Sequence, residues 1–333
     1  MGLYSAYELL CRTGNQSNTI TLYDPNGLNA LNASWMAGGM LAPYSEIEHM
    51  DMRWVEAGLD SIERWRKTPL DCGFVQFGSL LISHPEDQHT LERFAAHLPQ
   101  DKTNERRAPQ DLEPALPDTF KSGVYLPEEA HIEPRRAIAA LSAYIADKAT
   151  IIQKSVEPEH IEADTIIDCR GLGANTQKLR GVKGEIAIVR NPDFSLDRPV
   201  RLMHPRYPLY IVPRPDNVFM IGATIIESDK DEHVSLRSSM ELLSALYSLH
   251  PSFGEAQIIE LNAGIRPAYP DNLPRIEIND HIIRANGLFR HGFLFSPLMA
   301  GAIADYINGI NNDYWTLLTH GQKKNKSDNQ RAA

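Results

Sequence analysis

The chain has 333 residues with hydrophobic residues at 42% and charged residues at 23%, a balance that excludes a disordered chain and, at ~150 residues per domain, suggests about two domains. Its 43 Asp and Glu outweigh 33 Lys and Arg for a formal charge of -10, which repels a phosphate backbone and excludes nucleic acid as an expected partner. No apolar run approaches the ~18 residues of a membrane span, and the wide spacing of Cys11, Cys72 and Cys169 gives neither a disulfide framework nor a zinc motif, so the expectation is a soluble protein of the reducing cytoplasm with no membrane partner and no metal.

The segment MGLYSAYELLCR lacks the basic start of a signal peptide, has Ala6 where myristoylation wants Ser or Thr, and repeats Leu3, Tyr7 and Leu10 at helical spacing. A polar turn over 14–18 leads to TITLYD, an alternating strand ending on Asp24. Residues 50–66 read as an amphipathic helix with Val55, Leu59, Ile62 and Trp65 on one face, FVQFGSLLIS (74–83) as a strand, and 86–98 as a helix. Pro99, Pro109, Pro114 and Pro117 are expected to break any regular element over 99–118. A helix from Pro134 to Lys148 and strands over 151–156 and 164–168 follow. The texture then changes to strands over 184–189, 199–203, 208–213, 217–223 and 256–263 with one helix at 236–248, which predicts a mostly antiparallel sheet. A strand at 281–285, a Gly-rich turn and a helix from Pro297 to Asn308 close the folded part, and 321–333 is expected to fray.

Five places carry candidate chemistry. Gly2 at a helix start and Asp24 at the end of the next strand stand as the last glycine and the ribose-binding acid do in a dinucleotide fingerprint, although on their own such residues are more often a cap and a turn. Ser34, Gly38, Gly39 and Met40 lie in a Gly-rich segment where backbone can approach a flat ligand, or simply turn. Gly171 and Gly173 follow a strand in the same way. Arg266, after an apolar strand and before Pro267, suits a carboxylate because its planar fork binds two oxygens. His291 and Gly292 precede a helix, where amides can meet an electron-rich ring edge; a structural hydrogen bond is the plainer role for His291.

Taken in order, SWMAGGMLAP (34–43), EEAHIEPRRAI (128–138), LRGVKGEI (179–186), RLMHPRYPLYIVPR (201–214), MIGATIIESD (220–229), ALYSLHPSFGEA (245–256), IRPAYPDNLPRI (265–276) and NGLFRHGFLFSPLMAG (286–301) resemble the D-amino-acid oxidase superfamily over nearly the whole chain, and most closely its glycine oxidases of thiamine biosynthesis. The resemblance implies an α/β (α+β overall) fold: a discontinuous FAD-binding, Rossmann-like domain over 1–70, 120–180 and 267–320, and a mostly antiparallel substrate domain over 71–119 and 181–266. It implies that Arg266 and Tyr210 bind the substrate carboxylate and that Arg290 is a second arginine beside the flavin. Gly2 and Asp24 would hold the pyrophosphate and ribose, and Val156 would meet the adenine region. Ser34, Gly38, Gly39, Met40, Gly171, Gly173, His291, Gly292 and Phe293 would complete the FAD site. Ile225 stands where some relatives carry a substrate-side Met.

The implied activity is oxidation of glycine, or a similar small amino acid, to its imine, with oxygen reduced to hydrogen peroxide and the imine feeding thiazole formation. Oxidation of sarcosine or proline, or a flavin-free chain without activity, stay open, as does a homo-oligomer. The family's first strand and first two fingerprint glycines have no counterpart in the sequence, so the expectation is that coding sequence continues upstream of Met1 with a short strand ending in GxGxx, and that residues 1–333 hold FAD less tightly than the longer chain.

Overall fold

The computed structural model describes residues 1–13, 19–28, 32–99, 105–174, 176, 178–206, 208–229 and 233–321; the turn over 14–18 and nearly all of the expected frayed end lie outside them. Helix α1 (Gly2–Thr13) precedes β1 (Thr21–Tyr23), β2 (Met40–Leu41), α2 (Met52–Lys67), β3 (Ser79–Ile82), α3 (Gln88–Ala95), β4 (Glu105–Arg107), β5 (Gly123–Leu126), β6 (Ala130–His131), α4 (Pro134–Ala146), β7 (Thr150–Ile152) and β8 (Ile166–Asp168). There follow β9 (Arg180–Arg190), β10 (Val200–Leu202), β11 (Leu209–Arg214), β12 (Val218–Gly222), β13 (Ile226–Glu227), α5 (Leu236–Leu249), β14 (Gln257–Ala268), β15 (Arg275–Asn279), β16 (Ile282–Asn286), α6 (Gly292–Ile307) and α7 (Trp315–Leu318). The fold is mixed α/β, as expected. Among the described residues no helix is long and apolar enough to cross a membrane.

Nine strands form one sheet in the order β13-β9-β12-β11-β10-β3-β5-β4, with β14 along the other edge of β9. All its pairs are antiparallel except β10 with β3. Successive residues of a strand point to opposite faces, and here the two faces have different work. Ala187, Val189, Leu209, Ile211, Phe219 and Ile221 pack with Leu242 and Leu246 of α5 and with Phe194 and Phe253. The alternate residues Ile186, Ile188, Tyr210, Val212 and Met220 form a smaller cluster against which Met36 and Met40 lie. A one-residue slip would exchange the two sets.

Of the remaining strands, β1 pairs with β7 and β8 with β16 in parallel, β15 extends the second group antiparallel, and β2 pairs antiparallel with β6. Helices α1 and α2 pack on α6, whose residues Leu294–Ala304 are all buried, the pattern of a helix surrounded by protein. α6 begins five residues before the expected start at Pro297. Proline has no N–H for the carbonyl four residues back, and the Trp65 indole Nε1 donates to that Phe293 oxygen instead, at 2.8 Å.

Two other expectations are corrected. The strand expected over 74–83 is confined to Ser79–Ile82, because Gly78 takes φ 76°, a left-handed conformation that ends an extended run. The stretch expected to lack regular structure contains β4, which pairs with β5 between Pro99 and Pro109; its exposed Arg106 and Arg107 give the sheet a charged edge, the usual protection against strand addition.

Candidate active site

The inner face of the large sheet has a flat patch where two side chains lie across glycines. Arg266 of β14 stands opposite Val182 of β9, and its guanidinium lies over Gly184, where a Cβ would be 2.0 Å from Nη2. Tyr210 stands opposite Gly222, where a Cβ would be 2.8 Å from the phenol oxygen. The phenol and guanidinium are hydrogen-bond partners, and Arg266 Nη1 donates to Thr224 O at 3.2 Å. Burial pulls the Arg266 pKa down and pushes the Tyr210 phenol up, each opposed by the other's charge. Among the described residues Arg266 has no carboxylate partner.

The turn before α6 is clipped to the end of β14 by a bridge between Ala268 and Leu288 and by Phe289 N donating to Pro267 O at 3.0 Å. This brings Arg290 into the field of Arg266 and Tyr210. Arg290 forms an ion pair with Glu46, through Nη2 and Oε2, and its guanidinium sits 5.5 Å from the Phe289 ring. Burial would raise the Glu46 carboxyl, but Arg290 and Arg201 outweigh it and hold it at about 2. Arg201 stands opposite Tyr210 on the same face and donates from Nη1 to Ser45 O; burial lowers its pKa. Glu129, fully buried, accepts from Ser45 N at 2.7 Å and Ser45 Oγ at 2.8 Å. Burial pushes the His291 pKa down to about 4, so the ring is neutral at neutral pH.

Facing the patch is the segment that contains Gly38, Gly39 and Met40. A Cβ on Gly38 would lie 3.1 Å from the Tyr210 ring. Arg214 Nη2 donates to Gly38 O at 2.6 Å, and Ile132 N donates to Gly39 O at 2.9 Å. Gly39 has φ 73° and no room for a Cβ, which would stand 2.3 Å from Ile132 O; only glycine fits. Burial brings the Arg214 pKa down to about 10, with Glu133 opposing, so the cation persists at neutral pH.

Gly292 and Phe293 open α6, whose first-turn amides receive no side-chain cap, and the space beside Gly292 is open within 4 Å. Gly171 and Gly173 form a single turn after β8, tied by Asn286 Nδ2 donating to Gly171 O at 2.8 Å. Gly2 lies beside Cys169, 3.6 Å from a built Cβ to the cysteine Cβ. Asp24 follows β1, where its carboxylate accepts from Asn26 N at 2.8 Å; β7 ends alongside, and Val156 beyond it lines a hollow of about 310 Å³ with Lys154, Ser155, Glu157 and His160. Ser34 is exposed in a turn capped by Asn32. Ile225 is 52% exposed. The expected residues thus fall into two groups, one around Arg266, Tyr210, Arg290 and the Gly38–Met40 segment, the other at the carboxyl ends of β1, β7 and β8.

Glu46, Glu129, Arg201, Arg214 and Gly184 escaped the sequence reading. Arg214 had a signal, since it lies on the Tyr210 side of a strand by the period of two; Glu46 had none, being 244 residues from its partner. An uncapped helix N-terminus with open space, a fixed Gly39 turn and a hollow lined by Val156 beyond β7 fit a long ligand with an aromatic ring at each end and phosphates between, as in FAD.

Comparison with known proteins agrees. Residues 1–306 match the DAO family, described as FAD dependent oxidoreductase. The putative thiamine biosynthesis oxidoreductase ThiO of Rhizobium etli is 41% identical over 288 residues, covering 86% of this chain and 88% of the relative. A glycine oxidase of Geobacillus kaustophilus is 26% identical over 278 residues, 72% of each chain. The crystal structure of glycine oxidase from Geobacillus kaustophilus superposes with a TM-score of 0.82 over 97% of this chain and 96% of that one, at 23% identity. With a family model spanning residues 1–306 and a relative 41% identical, the chain belongs to the DAO family of FAD-dependent oxidoreductases.

Proposed function

We propose that this enzyme oxidises glycine, or an equally small amino acid, to the imine with oxygen as acceptor, as a supplier of thiazole synthesis in thiamine biosynthesis. The observation that carries the reading is Arg266, a partly buried guanidinium without a carboxylate partner among the described residues, lying beside a phenol on a patch cleared by Gly184 and Gly222. Its fork takes both oxygens of a carboxylate, and the Tyr210 hydroxyl donates to the same group. The protein's contribution is orientation of the bound carboxylate and exclusion of water. FAD supplies a two-electron acceptor that oxygen reoxidises. The balance is glycine plus oxygen giving iminoacetate plus hydrogen peroxide. Neutral His291 adds no positive charge to compete for the substrate carboxylate.

The purified protein should carry flavin colour and release peroxide from glycine. Arg266→Ala leaves a substrate anion without its cation, a loss of about 2–5 kcal/mol, so the KM for glycine should rise at least about thirtyfold. A colourless protein that makes no peroxide, or an unchanged KM in the variant, would overturn the reading. Higher kcat/KM for sarcosine or proline would move the substrate to a secondary amine.

A further inference from the structure

We propose that Glu46 sets the charge class of the substrate: by pairing with Arg290 it keeps that guanidinium from a second anion beside Arg266, so the site accepts an amine with a single carboxylate and rejects one with two. This rests on the assignment of Arg266 as the carboxylate anchor made above. Arg201 and Arg266 each lie in the field of Arg290, and Glu46 acts on all three guanidiniums. A pocket with three cations and no internal anion would favour a dicarboxylate. Glu46 removes that bias, because the Arg290 and Glu46 side chains are only 19% and 16% exposed, where water screens little and a charge without a partner is costly.

The carboxylate is also held in place. Glu46 ends the single helical turn Tyr44–Glu46, and the residue before it is gripped from two sides: Glu129 takes the Ser45 amide and hydroxyl, while Arg201 donates to the Ser45 carbonyl. A backbone pinned in this way keeps the Glu46 side chain within reach of Arg290. Arg290 Nη2 is the donor that the Glu46 carboxylate holds, so it is the one to offer once Glu46 is neutral. The chemical pair that reads this difference is glycine and iminodiacetate, the latter being glycine with a second carboxymethyl group on nitrogen. Like charges brought together count against the wrong ligand, and the second carboxylate of iminodiacetate meets that repulsion from Glu46.

The test uses the FAD-loaded enzyme, with acetate and malonate as unreactive mono- and dicarboxylate probes whose binding is read from the flavin spectrum. In Glu46→Gln the ratio of malonate to acetate affinity should rise about tenfold or more, together with the ratio of kcat/KM for iminodiacetate over glycine. Glu46→Asp should return both ratios toward the wild type, and Glu46→Gln with Arg290→Met should abolish the gain. An unchanged ratio in a folded, flavin-loaded Glu46→Gln protein, or a gain that survives loss of Arg290, overturns the proposal. So does a wild-type enzyme that already binds malonate tenfold more tightly than acetate, a measurement that needs no variant to fold. Failure to oxidise glycine with the expected probe ratios would instead sink the substrate assignment and leave the role of Glu46 standing.

Discussion

Glu129 has 0% exposure and accepts two hydrogen bonds from Ser45, yet burial raises its carboxyl from 4.5 to about 7. The folded protein therefore holds that proton more tightly than the unfolded chain does. Its favourable effect is complete below pH 4.5 and is lost as pH rises toward 7, a change of about 3 kcal/mol. Glu129→Gln keeps an acceptor for the Ser45 amide and never ionises. The stability of the wild type relative to this variant should fall by about that amount between pH 4.5 and 7, measured by urea unfolding across the range; a flat difference would mean that the carboxyl is charged throughout. Residues of this kind set the limit of what a sequence shows. Glu129 sat in a recognised stretch, EEAHIEP, but its partner is 84 residues away, and nothing local marks which of 43 acidic residues will be buried. Arg266, Tyr210 and Arg290 were singled out because eight individually weak motifs occur in the family's order, and the structure places Arg290 in the field of the other two.

At the scale of elements, the pairing of β9 with β14 decides where Arg266 can lie. The register places Gly264 opposite Gly184 and Arg266 opposite Val182, so the guanidinium crosses a gap in the side-chain row of β9. In Gly184→Ala the new methyl would stand 2.0 Å from Nη2. The obstructed atom ends a flexible side chain, so the arginine should move while the sheet stays. The KM for glycine should rise about tenfold, and stability should change by about 1 kcal/mol or less. A normal KM with normal folding would place the substrate anchor elsewhere. Most helices and long strands were readable from periodicity, because α2, α4 and α5 each bury a single stripe. The errors have local causes. Pro297 suggested a helix start because the Trp65 donor that replaces its missing N–H comes from a distant helix. The two-residue pair of β2 and β6 is too short to leave any period.

For the whole molecule, FAD bound to the native chain and not to the unfolded one adds stability by mass action. At free FAD about one hundredfold above its Kd the gain is about 2.7 kcal/mol, which should raise the Tm by several degrees; stripping the flavin should reverse it. A Tm independent of FAD concentration would mean that the native chain has no site for it. The arrangement of the sheet has a further consequence through β11. Tyr210 and Arg214 lie on one face of that strand, four residues or about 13 Å apart; the first reaches Arg266 and the second grips Gly38 O. One length of extended main chain is thus a gauge with a jaw at each end. On the proposed reading, the spacing of the two anchors is set by covalent geometry, so a longer amino acid is accommodated by movement of the side chains at the two jaws and not by the strand.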